Sequence, residues 1–174
     1  MKLNIVLFEP EIPQNTGNIM RTCVGVGAKL HLIKPLGFSL DEKHLRRSAV
    51  DYYEYIEYQE YENYQDFLDK NPNANVFYST RYGHKPLSSF DFKNMSGDIF
   101  LMFGKESAGI PYEILAANLD NCYRLPTNDR IRSLNLSNCA AISLYEVLRQ
   151  LDYEGLSFEE PDNLKGANFL DQFK

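Results

Sequence analysis

Three polar segments stand out from apolar surroundings, and each carries side chains suited to holding an anion or a sugar. The first is Pro13-Gln14-Asn15-Thr16-Gly17-Asn18-Ile19-Met20-Arg21. Asn15 or Thr16 suits the cap of a following helix, whose free N–H groups favour an anion. Arg21, about one and a half turns further on, offers a fork that grips a phosphate in bidentate fashion. An ordinary capped helix with an exposed arginine accounts for this segment equally well. The second segment is Phe103-Gly104-Lys105-Glu106-Ser107-Ala108-Gly109-Ile110-Pro111. Gly104 lets a ligand or another stretch of chain approach the backbone, and Pro111 suits the first turn of a helix. Glu106 lies in the turn, where a carboxylate caps backbone N–H groups or orients a neighbour. The third runs from Leu125 to Asn138 and is too densely polar for a simple linker. Ser133 or Asn135 suits a helix cap, and Asn135, Ser137 and Asn138 place donors and acceptors where that helix begins.

Other chemistries find no support. Gly25-Val26-Gly27 is a fragment of a dinucleotide fingerprint, with Leu30 where the third glycine belongs, and there is no P-loop. His31, His44 and His84 are isolated, and His31, inside a strand pattern, reads as structural. Cys23, Cys122 and Cys139 are odd in number and lack metal-ligand spacing, which suggests neither zinc nor a disulfide framework and fits a reducing, cytoplasmic setting.

The elements that must position these segments alternate along the chain. Strands are predicted over residues 2–8, 29–33, 75–80, 98–103 and 121–125. Helices are predicted over 15–26, 41–50, 64–70, 112–118 and 136–151. Such alternation implies βαβ units and a parallel sheet covered on both faces, an α/β fold whose ligands sit beyond the carboxyl ends of the strands. Each polar segment follows a predicted strand. The last helix is the clearest element: Leu136, Ala140, Leu144, Val147 and Leu151 recur at three- and four-residue spacing. Residues 81–95, with Gly83, Pro86 and several serines, read as a long functional loop. Beyond Tyr153 the pattern fades into an acidic segment, so residues 1–153 form one expected domain and 154–174 a surface tail.

At 174 residues the chain suffices for one well-packed core. No apolar run approaches the roughly 20 residues that span a bilayer. A net charge of −6 argues against a protein that coats nucleic acid non-specifically. It leaves room for local basic patches, and these exist at Lys43, Arg46 and Arg47 and at Arg124, Arg130 and Arg132.

Taken in order, the three segments resemble the motifs of the SPOUT superfamily of RNA methyltransferases. Asn15 to Arg21 matches the asparagine-threonine-glycine-asparagine-X-X-arginine motif. Gly104 to Pro111 matches glycine-X-glutamate-X-X-glycine-X-proline, and Ser133 to Asn138 matches serine-leucine-asparagine-leucine-serine-asparagine. The resemblance runs from Lys2 to Tyr153. Together with Glu9-Pro10-Glu11-Ile12-Pro13 and Leu45-Arg46-Arg47, the minimal length is similar to the subgroup that methylates the wobble ribose of tRNA, leucine tRNAs in particular. The resemblance implies a parallel-sheet α/β-knot fold with a C-terminal trefoil knot, which periodicity alone does not suggest. It implies a homodimer packed through the first and last helices, S-adenosyl-L-methionine (SAM) as methyl donor, no metal, and the tRNA anticodon loop as partner, with neither DNA nor membrane. For the cofactor it points to Ser79, where the family commonly carries leucine, and to Gly104, Leu125 and Ser133, largely through backbone groups. Met102, Ile131 and Leu134 are then expected to wall the adenine pocket.

For catalysis the resemblance points to Arg21 nearest the reacting ribose, Asn135 ordering the pocket and Glu106 positioning a loop. A guanidinium stays protonated under ordinary conditions. Arg21 is therefore read as a phosphate clamp that also stabilises the developing alkoxide, not as a base. For RNA, Arg130 and Arg132 flank the cofactor loop, and Arg46 and Arg47, with Lys43, are phosphate contacts or the solvated face of a helix. Tyr145 is a tRNA contact or an interface residue. The alternatives are the same methylation at another tRNA or rRNA site, or a non-catalytic RNA- or SAM-binding module.

Overall fold

A computed structural model describes residues 1–40 and 52–174. The predicted helix over 41–50, with Lys43, Arg46 and Arg47, lies outside the described residues. Among the described residues there are six strands: β1 (Leu3–Phe8), β2 (Lys29–Ile33), β3 (Tyr58–Tyr61), β4 (Asn75–Ser79), β5 (Ile99–Phe103) and β6 (Cys122–Tyr123). The helices are α1 (Pro13–Val26), α2 (Tyr64–Lys70), α3 (Tyr112–Ala117) and α4 (Leu136–Gln150). All strand pairs are parallel, and the sheet order is β3-β2-β1-β5-β4-β6.

Both faces of the sheet are covered because the central strands are apolar at nearly every position. In β1, Ile5 and Leu7 join one core with Leu30, Leu32 and Leu101, under Ile19, Met20 and Cys23 of α1 and Leu144 and Val147 of α4. The alternate residues Val6 and Phe8 join a second core with Ile33, Phe100 and Met102, under Phe67 of α2 and Leu115 of α3. This is the two-residue period of a strand buried on both sides. Each large side chain so buried contributes about 1.5–3 kcal/mol before entropy is set against it. Of the stripe predicted for the last helix, Ala140, Leu144 and Val147 are buried and Leu136 and Leu151 partly so, while Ser143 and Leu148 are buried beside them.

Three expectations need correction. β3 is an addition to the predicted strands: Tyr58-Gln59-Glu60-Tyr61 sits in an acidic, tyrosine-rich stretch, and the strand pairs on one side only, with β2. An edge strand tolerates such polarity and is protected by it. At the opposite edge, β6 spans two residues instead of the five expected. Helix α1 begins at Pro13, with Ile12 as its N-cap residue and no side-chain cap, so Asn15 and Thr16 are interior and cap nothing. Proline at the first position spares an N–H that would have no partner. The loop 81–95 holds a short 3-10 turn at Leu87–Ser89, and Leu156 of the acidic segment still packs against the core.

His31 is the structural residue its strand position suggested. It is buried between Tyr61, whose hydroxyl lies 2.7 Å from Nδ1, and Asn4, whose Oδ1 lies 3.1 Å from Nε2. Asn4 Nδ2 donates to the carbonyl of Ile99, which leaves Asn4 Oδ1 to accept from His31 Nε2–H. Nε2 thus carries a proton, and burial disfavours a second one on Nδ1, so the ring is neutral and Nδ1 accepts from the Tyr61 hydroxyl. Burial, and then the charge of Lys29, push its pKa down to about 4.

Candidate active site

The carboxyl ends of β4, β5 and β6 open onto a cavity of about 710 Å³, where an α/β sheet binds its ligands. Its floor and walls combine Ser79 at the end of β4, Gly104 after β5, Leu125 after β6, and Ser133 and Leu134 ahead of α4. The three polar segments converge here because one side-chain line joins them. Asn15 Nδ2 donates to Glu106 Oε1 at 2.8 Å, and Asn135 Nδ2 donates to Asn15 Oδ1 at 3.0 Å. Asn135 Oδ1 then accepts from the N–H and hydroxyl of Ser137 and the N–H of Asn138, which caps α4.

Glu106 spends both oxygens on this frame. Oε2 accepts from the N–H of Glu11 at 2.9 Å, and Oε1 accepts from that of Ile12 at 3.3 Å. The bonding is reciprocal: Glu11 accepts from the N–H and hydroxyl of Ser107, both at 2.8 Å, and Lys105 Nζ pairs with Glu9 at 2.7 Å. The Ser107 hydroxyl, and then its N–H, hold the Glu11 carboxyl below the usual carboxylate range. The loops after β1 and β5 are thus clamped as a unit, as expected of a carboxylate that caps and orients. At Gly104 the open question of ligand or chain is answered by geometry: a Cβ there would lie 2.1 Å from the carbonyl carbon of Gly109. The backbone close to it is the protein's own.

Of the residues singled out from the sequence, Ser79, Gly104, Glu106, Leu125, Arg132, Ser133, Leu134 and Asn135 line the cavity. Met102 does not: it is fully buried on the sheet face toward α2 and α3, because the residues flanking it in β5 point to the other side. Ile131, half exposed, also stands outside the lining, as does Arg130. Arg21 is exposed on α1, away from the lining, with its guanidinium 5.6 Å from the ring centre of Tyr52. Tyr145 is exposed on α4, also away from the cavity. Arg81 and Tyr82, from the loop 81–95 read as functional but without a named role, and Tyr112, which the sequence did not single out, also line the cavity. Their signal was position alone, directly after β4 and at the head of α3.

Comparison with known proteins places this arrangement. The SpoU rRNA methylase family matches residues 2–145. A protein of Geobacillus stearothermophilus is 49% identical over 157 residues, which is 90% of this chain and 100% of that one. The tRNA (cytidine(34)-2′-O)-methyltransferase of Escherichia coli (strain K12) is 43% identical over 154 residues, 88% of this chain and 96% of that one. Among solved structures, one from Bacillus anthracis superposes with a TM-score of 0.86 at 46% identity, over 91% of this chain and 99% of that one. The AdoMet-bound rRNA methyltransferase of Sinorhizobium meliloti gives 0.75 at 26% identity, over 86% of this chain and 57% of that one. The motif resemblance, the parallel sheet and near-full-length identity agree: the chain belongs to the SpoU rRNA methylase family.

Proposed function

We propose that the chain transfers a methyl group from SAM to the ribose 2′-oxygen of the cytidine at position 34 of tRNA, as the name of its E. coli relative states for that enzyme. The observation that carries the reading is the line Glu106–Asn15–Asn135, which ties all three motif segments to one cavity. The cavity suits SAM. Its volume falls in the range of small-molecule sites, and Ile110, Leu125 and Leu134 offer apolar wall beside the polar strand ends at Ser79 and Gly104. Ser79, Gly104, Leu125, Ser133 and Leu134 would hold it. When bound, SAM supplies an electrophilic methyl group.

The protein's part is alignment, which alone supplies a large share of the rate in an in-line displacement. Arg21, exposed on α1 outside the cavity lining, is read as the clamp on a phosphate of the RNA, while the proton of the 2′-hydroxyl leaves to water or a phosphate oxygen. Asn135 fixes the start of α4, and Glu106 fixes the two loops. Arg130 and Arg132 take neighbouring phosphates.

A homodimer belongs to the same reading, through the outward faces of α1 and α4. Ile142 and Tyr145, 46% and 51% exposed on α4, support it. The trefoil knot belongs to it as well. Its support is the closeness of the loop after β4 to β6: Thr80 N–H donates to the Tyr123 carbonyl at 2.9 Å, and Arg124 N–H donates to that of Lys85 at 3.0 Å. Residues 1–153 are the methyltransferase domain, 154–174 a tail, and the cytoplasm the setting. No helix among the described residues is long and apolar enough to cross a membrane.

The test is incubation with labelled SAM and total tRNA, followed by mapping of the label. Label in a 2′-O-methylcytidine at position 34, leucine tRNAs included, is the expected result. Label in a base overturns the mechanism, and ribose label elsewhere overturns the position.

A further inference from the structure

The mouth of the cavity carries a group of side chains that the catalytic reading leaves without a task. Arg81 follows β4 and Tyr112 opens α3, with Tyr82 between them. Arg81 donates to the Tyr82 hydroxyl at 2.6 Å, and its guanidinium lies 4.7 Å from the centre of the Tyr82 ring. The hydroxyls of Tyr82 and Tyr112 are 3.3 Å apart, and their rings meet edge to face at 5.6 Å. Arg124 donates to the Arg81 carbonyl, and the charge of Arg132 reaches the Tyr82 phenol.

Two properties of this rim are unusual in a protein of net charge −6. Among the described residues, Arg81, Arg124 and Arg132 have no carboxylate within ion-pairing distance. The tyrosines are also uncovered, Tyr82 by 44% and Tyr112 by 62%. Unpaired guanidiniums beside open aromatic faces match the two ends of one ligand, a phosphodiester joined to an unstacked base. The edge-to-face contact leaves no slot between the rings, so a base must lie on the outer face of Tyr112.

We propose that Arg81, Tyr82 and Tyr112 form a docking site for a nucleotide adjoining the methylated one in a single-stranded RNA loop. The base stacks on Tyr112, Tyr82 braces that ring through its hydroxyl, and Arg81 with Arg132 takes the phosphate. The site deepens the proposed function and rests on it.

The test uses the full chain, an anticodon stem-loop RNA and SAM, with each affinity measured separately beside KM and kcat. Tyr112→Ala is expected to weaken RNA binding and raise the RNA KM by roughly 10-fold, the loss of one base–aromatic stack. SAM affinity and kcat stay as in the wild type, and Tyr112→Phe, which keeps the stacking ring but loses the hydroxyl contact to Tyr82, restores most of the RNA binding. Arg81→Gln is expected to lower the slope of log affinity against log salt by about 0.7, the share of one phosphate on a single strand. RNA binding by Tyr112→Ala equal to wild type overturns the proposal, and so does a loss confined to SAM. A wild type that methylates no tRNA overturns the functional reading beneath it, whereas a wild type that methylates while Tyr112→Ala binds RNA normally overturns this site alone.

Discussion

His31 has a measurable consequence that its neutral state makes specific. In the unfolded chain a histidine titrates near 6.5, but in the fold burial holds this one near 4. Between those values the unfolded chain takes up a proton that the folded chain refuses. The contribution of His31 is therefore fully present above about pH 6.5 and is lost as pH falls toward 4, by about 3 kcal/mol in all. Between pH 7 and pH 4.5 the urea midpoint should fall further for the wild type than for His31→Gln, which cannot ionise. Equal falls would refute the buried neutral imidazole. Other residues were harder to read. Asn15 has the side chain of a cap, yet Pro13 starts the helix early and frees Asn15 to bridge Glu106 and Asn135. No local pattern signals a partner 120 positions away. Met102 failed as a cavity residue because a strand reverses its faces at each step, and proximity in sequence to Gly104 does not fix which face is meant.

Helices and strands with a strong period were legible, whereas of the edges β3 went unread and β6 was read too long. α4 was legible because its buried stripe repeats over four turns, and β1, β2 and β5 because they are short and largely apolar. β3 and β6 sit at the two rims of the sheet, where one neighbour suffices and the apolar signal thins. The connections decide more than the elements do, as two glycines illustrate. Gly25 lies within α1 with open space where a methyl group would stand, so Gly25→Ala should stabilise the protein by about 0.5–1 kcal/mol. A Cβ on Gly104 would collide with the backbone of Gly109 and Ile110, so Gly104→Ala must displace the loop after β5. It should cost about 2–3 kcal/mol and weaken SAM binding with it. Calorimetric melting of the pair is expected to move in opposite directions, and a Gly104→Ala melt at the wild-type temperature would contradict the packing described.

At the scale of the molecule, the sheet with helices on both faces followed from alternation, and membership of a family followed from three ordered motifs. Residues beyond Leu156 add little to either. Phe158, Leu164, Leu170 and Phe173 are largely exposed, and the packed chain ends with Tyr153 and Leu156 against the core. Deleting residues 157–174 should shift the melting temperature by less than about 3 °C. Deleting from Asp152 onward removes Tyr153 and Leu156 as well, together with the pair between Lys93 and Asp152, and should lower it distinctly further. If the shorter deletion proves as damaging as the longer, the tail carries weight that its exposure denies.

The bond from Asn135 to Asn15 also sets a schedule. A ribosome delivers Asn15 early, Glu106 some ninety positions later and Asn135 only after every strand has been made. Until then the face that α4 buries lies open, and the pocket lacks its third side. A chain cut short before Leu134 has spent most of its translation and can still sequester no cofactor. Contacts of such long range are slow to form, but a ligand that waits for them is stabilising the completed molecule, not a fragment of it.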